Sequence, residues 1–236
     1  MDSAETKKAA RRAGLLYFLF SLPGPFALLY VPGKLFVKGD PTATADRIRS
    51  FESLLRMGMA TELICFAGFI FVGLALYRLF KPVSEGQALA LLILDLVPVG
   101  ISFLCILFEV AALDFAGGGG GAQFLSAFDA HQRDTLAYEF LRLHGQGFNV
   151  AGIFWGLWLF PMGICAIRSG FIPRTVGILL IIAGCGYTAS SFASLALPQY
   201  ARAVGRVTEI TNLGELPIIF WLLIWGARPQ RARARA

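Results

Sequence analysis

The sequence predicts an all-α fold, a polytopic membrane bundle of six transmembrane helices with both termini cytoplasmic. Three observations carry this. Of the 236 residues, 56% are hydrophobic and only 15% charged, with a mean hydropathy of +0.66. Soluble domains carry about 25% charged residues. The apolar residues also fall into runs long enough to cross a bilayer, which takes roughly 20 residues each. Finally, glycine, serine, threonine and amide side chains recur inside those runs at helical spacing, the pattern by which membrane helices pack closely. One membrane domain is expected over 13–227, between a basic segment 1–12 and a basic tail 228–236.

Helix 1 is expected over 13–31. Pro23 and Pro25 remove backbone donors near its middle and should kink it. A charged loop, 32–50, follows. Thr42 or Thr44 is a candidate cap for a short helix leading to Phe51.

Helix 2 is expected over 51–79, stopped by Pro82. Gly58, Glu62, Phe69 and Gly73 share one stripe, so the Glu62 carboxylate points into the bundle. Glu62 lies 11 residues after Phe51. At about 1.5 Å per residue that puts it near mid-membrane. Helix 3, over 87–113, has Asp95, Pro98, Ser102 and Glu109 on one face with Cys105 at its edge. The same rise places Asp95 in the inner half and Glu109 close to the outer surface.

The five-glycine run 117–121 is a flexible connection. It is no phosphate loop, since no Lys-Ser/Thr follows it. Phe124, Leu125 and Phe128 suit a short interfacial piece after it.

Helix 4 covers 139–167. Gly145, Asn149, Gly152 and Gly156 share one small, amide-bearing face, opposite Phe148, Trp155 and Trp158. A basic turn, 168–174, leads to helix 5 over 175–195, with Gly177, Gly184, Thr188 and Ser191 on one face. Residues 199–206 read as an outer loop. Helix 6, over 207–226, aligns Thr208, Asn212, Glu215 and Ile219.

The net charge is +6, concentrated at the ends: Lys7, Lys8, Arg11 and Arg12 before the first run, Arg228, Arg231, Arg233 and Arg235 after the last. Beside membrane spans such clusters are cytoplasmic anchors, and no nucleic-acid partner is expected. The first run has no small-residue cleavage site and is read as an uncleaved helix. Cys65, Cys105, Cys165 and Cys185 all lie inside apolar runs and form no C-x-x-C, so buried thiols are expected.

Several short motifs recur together: Arg12-Ala-Gly14, Gly24-Pro25, the loop 40–48, and Glu52-Ser-Leu-Leu-Arg56. With them come Leu76-Tyr-Arg-Leu-Phe-Lys-Pro82-Val83, Phe140-Leu-Arg-Leu-His144, Arg168-Ser-Gly-Phe-Ile-Pro173 and Gly184-Cys-Gly-Tyr187. As a set they resemble the bacterial membrane family catalogued as domain of unknown function 4386, over nearly the whole chain. The resemblance implies a small polytopic membrane protein of the bacterial inner membrane and no particular activity. Asp95 departs from the family pattern, in which a basic residue is common nearby.

Carboxylates on inward stripes are the residues with chemical potential, because a charge in hydrocarbon is costly unless it pairs, meets water or serves a function. The candidate ligand-binding residues are Glu62, Arg142, His144, Asn149, Tyr187 and Glu215. Arg142 is expected to reach Glu62 or Glu215. It lies about 200° round the helix from His144, so the two cannot point at one small site. Whether the charges form a polar pocket or merely fix helix register is open.

Three classes of function remain: binding or transport of a small or lipidic molecule, an intramembrane enzyme using a carboxylate and His144, and a non-catalytic accessory subunit or homo-oligomer. The last predicts Trp155 and Trp158 buried against another chain. No cofactor and no metal site is expected. Two histidines, His131 and His144, without H-E-x-x-H, do not make a zinc motif. The serines lie in no G-x-S-x-G.

Overall fold

The structure, a computed structural model, describes residues 3–117 and 123–228. Residues 118–121 of the glycine run, and Arg231, Arg233 and Arg235, lie outside the described residues. All regular structure among the described residues is helical.

Helix α1 runs Ser3–Ser21. The chain then turns, continues as a π-helical stretch Phe26–Tyr30, and closes in α2, Val31–Leu35. The prolines explain the interruption. Pro25 has no N–H to give, and the amides of Phe26 and Ala27 both donate to the Pro23 carbonyl, at 3.1 and 3.2 Å. The expected kink is present.

Helix α3, Pro41–Ser50, occupies most of the segment read as a loop. Its cap is Asp40, not Thr42 or Thr44. The Asp40 carboxylate accepts from the Ala43 amide at 2.9 Å. Pro41 at the first helical position holds Asp40 extended, which suits a capping residue. Thr44 is instead fully buried and donates to the Asp40 carbonyl at 2.8 Å.

Helices α4, Glu52–Phe80, and α5, Glu85–Ala116, follow. A 3₁₀ turn, Gln123–Ala127, precedes α6, Ala130–Leu157. Pro161 removes a donor near the start of α7, Leu159–Ser169, and the helix is interrupted at Trp158. Helix α8 spans Arg174–Ala196.

Helix α9, Pro198–Asn212, replaces the expected outer loop. Pro198 is at a helix start, where its missing N–H costs nothing, and the alanines and arginines behind it favour a helix. A 3₁₀ turn Leu213–Glu215, α10 at Leu216–Phe220 and a π-helical turn Trp221–Trp225 follow. Gly226, at φ 64°, stops it.

Among the described residues, six stretches are long and apolar enough to cross a membrane: Ala4–Leu35, Glu52–Phe80, Glu85–Ala116, Ala130–Ser169, Arg174–Ala196 and Pro198–Trp225. Leu29, Ile64, Leu107, Val207 and Ile210 are more than half exposed, as side chains facing lipid tails would be. The chain is a multi-pass, all-α membrane protein.

Its residues group into two compact units. The first comprises Met1–Leu19, Gly68–Val99 and Asn149–Ala236. Small residues hold its helices close. A Cβ on Gly156 of α6 would lie 2.7 Å from the Gly184 carbonyl of α8, and one on Gly163 of α7 2.7 Å from the Gly177 carbonyl. Gly152 meets the Ser191 hydroxyl, and Gly186 meets Thr211 of α9. Of the glycine faces read from the sequence, Gly152, Gly156, Gly177 and Gly184 are thus helix contacts, whereas Gly145 faces open space.

The second unit comprises Phe20–Ala67 and Gly100–Phe148. Its core joins Val31 and Leu35 of α2, Ala45 and Ile48 of α3, Leu55 of α4, Leu113 of α5 and Leu141 of α6. Helix α3 lies over the ends of α5 and α6. Arg49 of α3 donates to Asp134 of α6 at 2.9 Å and to the Ala116 carbonyl at 3.3 Å, and pairs with Asp46 at 2.7 Å. The Asp134 bond raises the Arg49 pKa. A raised cation pKa stabilises the fold below the unfolded value, so this contribution holds across all ordinary pH.

Candidate functional site

Three helices of the second unit each place one ionisable side chain at a common point. Glu62 lies on α4, one turn after Gly58, whose missing side chain admits Val31. Glu109 lies on α5. His144 lies on α6, three residues before Gly147, where the Cys105 thiol of α5 fills the space of the absent Cβ. That contact brings α5 and α6 together beside the imidazole.

Nε2 of His144 is 3.3 Å from Oε2 of Glu62 and 3.6 Å from Oε1 of Glu109. The two carboxylates are 1% exposed and the imidazole 3%. One potential ligand atom from each residue lies within 4.8 Å of the others. Oε1 of Glu62, Oε2 of Glu109 and Oγ of Ser102 have no hydrogen-bond partner among the described residues. The imidazole packs T-shaped against Phe148, with centroids 4.7 Å apart, and Phe148 in turn stacks on Phe66 at 5.7 Å.

Glu109, expected close to the outer surface of the membrane, is buried within the protein beside His144. The face it shares with Ser102 and Cys105 was legible; its meeting with Glu62 and His144 was not. Helix α3, the short helix expected within the loop 32–50 but capped by Asp40, adds a layer over the end of α5. Ala45 and Ile48 pack in the same core as Ala112, Leu113 and Ala116.

Arg142 reaches neither Glu62 nor Glu215. It pairs with Glu139 one turn earlier at 2.7 Å, and both side chains are about half exposed. Its angular separation from His144 turns Arg142 outward while His144 turns inward.

The first unit holds a second polar group. The Tyr17 hydroxyl donates to Glu215, and Tyr187 also hydrogen-bonds that carboxylate. The fully buried Tyr17 ring packs edge-on against Phe69 and Trp158, with centroids 5.9 and 5.7 Å away. Trp158 is thus buried within this chain. Asp95 is buried against the backbone at Gly73, and its Oδ2 has no partner among the described residues. Asn149 is half-buried in this unit. Tyr17 was not singled out because a lone tyrosine in an apolar run carries no spacing signal. Of the cysteines, Cys65, Cys105 and Cys165 are buried as expected, whereas Cys185 is exposed on α8.

A protein of Archaeoglobus fulgidus, described only as uncharacterized, is 29% identical over 157 residues, which cover 66% of this chain and 76% of that protein. Its source is archaeal, so such similarity extends beyond bacteria. No solved structure matches the chain. The model of the family described as Domain of unknown function (DUF4386) matches residues 12–226, a range that reaches every membrane-spanning stretch. The chain belongs to that family.

Proposed function

We propose that this protein binds a small ligand inside the membrane through Glu62 and His144, with Glu109 as a third contributor. The observation that carries the reading is the pair of buried carboxylates, each with an unpartnered oxygen, meeting one imidazole. Buried polar groups are normally satisfied, and an unsatisfied one costs about 1–3 kcal/mol. A ligand supplying donors or positive charge removes that cost. Tyr187 and Glu215, with Tyr17, form a separate phenol–carboxylate group in the first unit. Arg142 stands outside this site, since it is occupied with Glu139 and half exposed, and Asn149 belongs to the first unit.

The full proposal is one membrane domain over 13–227 in the inner membrane, with the basic segments 1–12 and 228–236 cytoplasmic. The concentration of Lys and Arg at the two ends supports that orientation.

The experiment is native mass spectrometry of the full-length protein released from mild detergent. Wild type is expected to carry an additional mass that Glu62→Gln lacks. Identical spectra for the two, with both folded, overturn the reading.

A second reading is acid–base catalysis within the membrane. The inward-facing His144, 3.3 Å from Glu62, favours it, because a general acid or base must sit within hydrogen-bond reach of its partners. The accessory-subunit reading is less supported, since Trp158 packs against Tyr17 and Phe69 of this chain.

A further inference from the structure

We propose that Glu62, Glu109 and His144 are the protein ligands of a divalent transition-metal ion of the zinc class, with a coordination position left open. The inference rests on the reading above and names the ligand of that same site.

Geometry comes first. Zinc binds imidazole nitrogen and carboxylate oxygen at about 2.0–2.2 Å in tetrahedral sites, so neighbouring ligand atoms stand about 3.3–3.6 Å apart. The two distances from Nε2 of His144 are 3.3 and 3.6 Å. All three ligand atoms lie within 4.8 Å of one another, so a small contraction completes the set.

Charge comes second. Neither carboxylate has a lysine or arginine within ion-pair distance among the described residues; His144 is the one basic group that meets them. Two acids and one imidazole in an apolar interior therefore lack a counter-charge. A dication supplies it at the two oxygens that face Nε2, the other oxygen of each buried carboxylate, Oε1 of Glu62 and Oε2 of Glu109, having no partner among the described residues.

Ligand type comes third. Calcium and magnesium prefer sites made wholly of oxygen, whereas imidazole suits zinc, iron and copper. Three protein ligands with a fourth position free is the arrangement of catalytic rather than structural zinc. The Phe148 ring packed T-shaped against the imidazole, with centroids 4.7 Å apart, limits its rotation.

The test uses the full-length chain in detergent, with any affinity tag removed and metal stripped by a chelator. It is titrated with Co²⁺, read by visible ligand-field absorption, and then with Zn²⁺ in competition. Bound metal is counted by mass spectrometry of the elements. Wild type is expected to take up one ion per chain, with the Co²⁺ band displaced by Zn²⁺ and not by Ca²⁺ or Mg²⁺. Glu109→Gln, Glu62→Gln and His144→Ala should each weaken binding by about a hundredfold or more, since even outer-shell changes cost about 10–100-fold. Arg142→Ala should leave it unchanged.

Circular dichroism and size exclusion check that each variant folds. If a ligand variant does not fold, the wild-type stoichiometry and the Zn²⁺-over-Ca²⁺ selectivity still decide. Folded wild type that takes up neither Co²⁺ nor Zn²⁺ overturns the proposal, as does equal uptake by all three variants. An organic species lost in Glu62→Gln, found alongside absent metal uptake, would sink the metal and leave the ligand-binding reading standing. Absence of both would sink the two together.

Discussion

Gly156→Ala tests whether the glycine contacts of the first unit hold its helices at their spacing. A Cβ at Gly156 would lie 2.7 Å from the Gly184 carbonyl and 2.7 Å from the Thr188 amide, where ordinary contact begins at 3.4 Å. Both obstacles are backbone atoms, so no rotamer change can relieve them and α6 must move from α8. Overpacking of this kind costs about 1–3 kcal/mol. Against it stands the gain of about 1 kcal/mol when alanine replaces glycine within a helix. Gly145→Ala supplies the control. It lies on the same helical face, and a Cβ there meets nothing within 4 Å. Gly145→Ala should therefore be neutral or stabilising. The difference between the variants isolates the overpacking, about 1–3 kcal/mol, or about 2–12 °C in Tm for a chain of this size. Thermal unfolding in one detergent, followed by helical circular dichroism, reads it. If Gly156→Ala melts at or above Gly145→Ala, the close approach of α6 and α8 is not what the structure describes.

Two further substitutions separate exposed charges from buried ones. Arg142→Ala should change stability by only about 0–0.5 kcal/mol, because its partner Glu139 is one turn away and both are half exposed. The same measurement would give about 3–5 kcal/mol had Arg142 been the partner of a buried acid. Tyr17→Phe should destabilise by about 1–2 kcal/mol through the lost bond to Glu215. A double-mutant cycle with Glu215→Gln should show coupling above about 0.5 kcal/mol, and additive effects would mean the hydrogen bond does not matter.

Most of the helical architecture was legible because its signals are local and repeated. Apolar length marked the spans, and glycines at helical spacing marked the faces that pack, as at Gly156 and Gly184. The misreadings came from segments whose helices depend on context. Residues 41–50 are charged and short, and Pro41 looks like a loop signal until Asp40 is recognised as the cap before it. Residues 199–206 carry polar and charged side chains, so hydropathy hid a helix that α9 continues from Pro198.

The site shows a different limit. Periodicity fixes the angle of a side chain around its helix, and by that measure Glu62 and Glu109 were turned inward; on the third helix it was Arg142, about 200° from His144, that was expected to reach the acids, and the structure reverses the two. Periodicity does not say how far along its axis a helix stays covered. Glu109 was placed by counting residues along its span, which says nothing of what packs beside it. Helix α3 packs Ala45 and Ile48 in one core with Ala112 and Leu113 of α5, and Glu109 is buried. A single imidazole on one helix carries no metal signature, because the signature here is spread over α4, α5 and α6 with no fixed spacing in sequence. A motif scan detects ligands that share one helix or one loop. Ligands contributed singly by three helices can be recognised only once the contacts that bring those helices together, such as Cys105 against Gly147, are known.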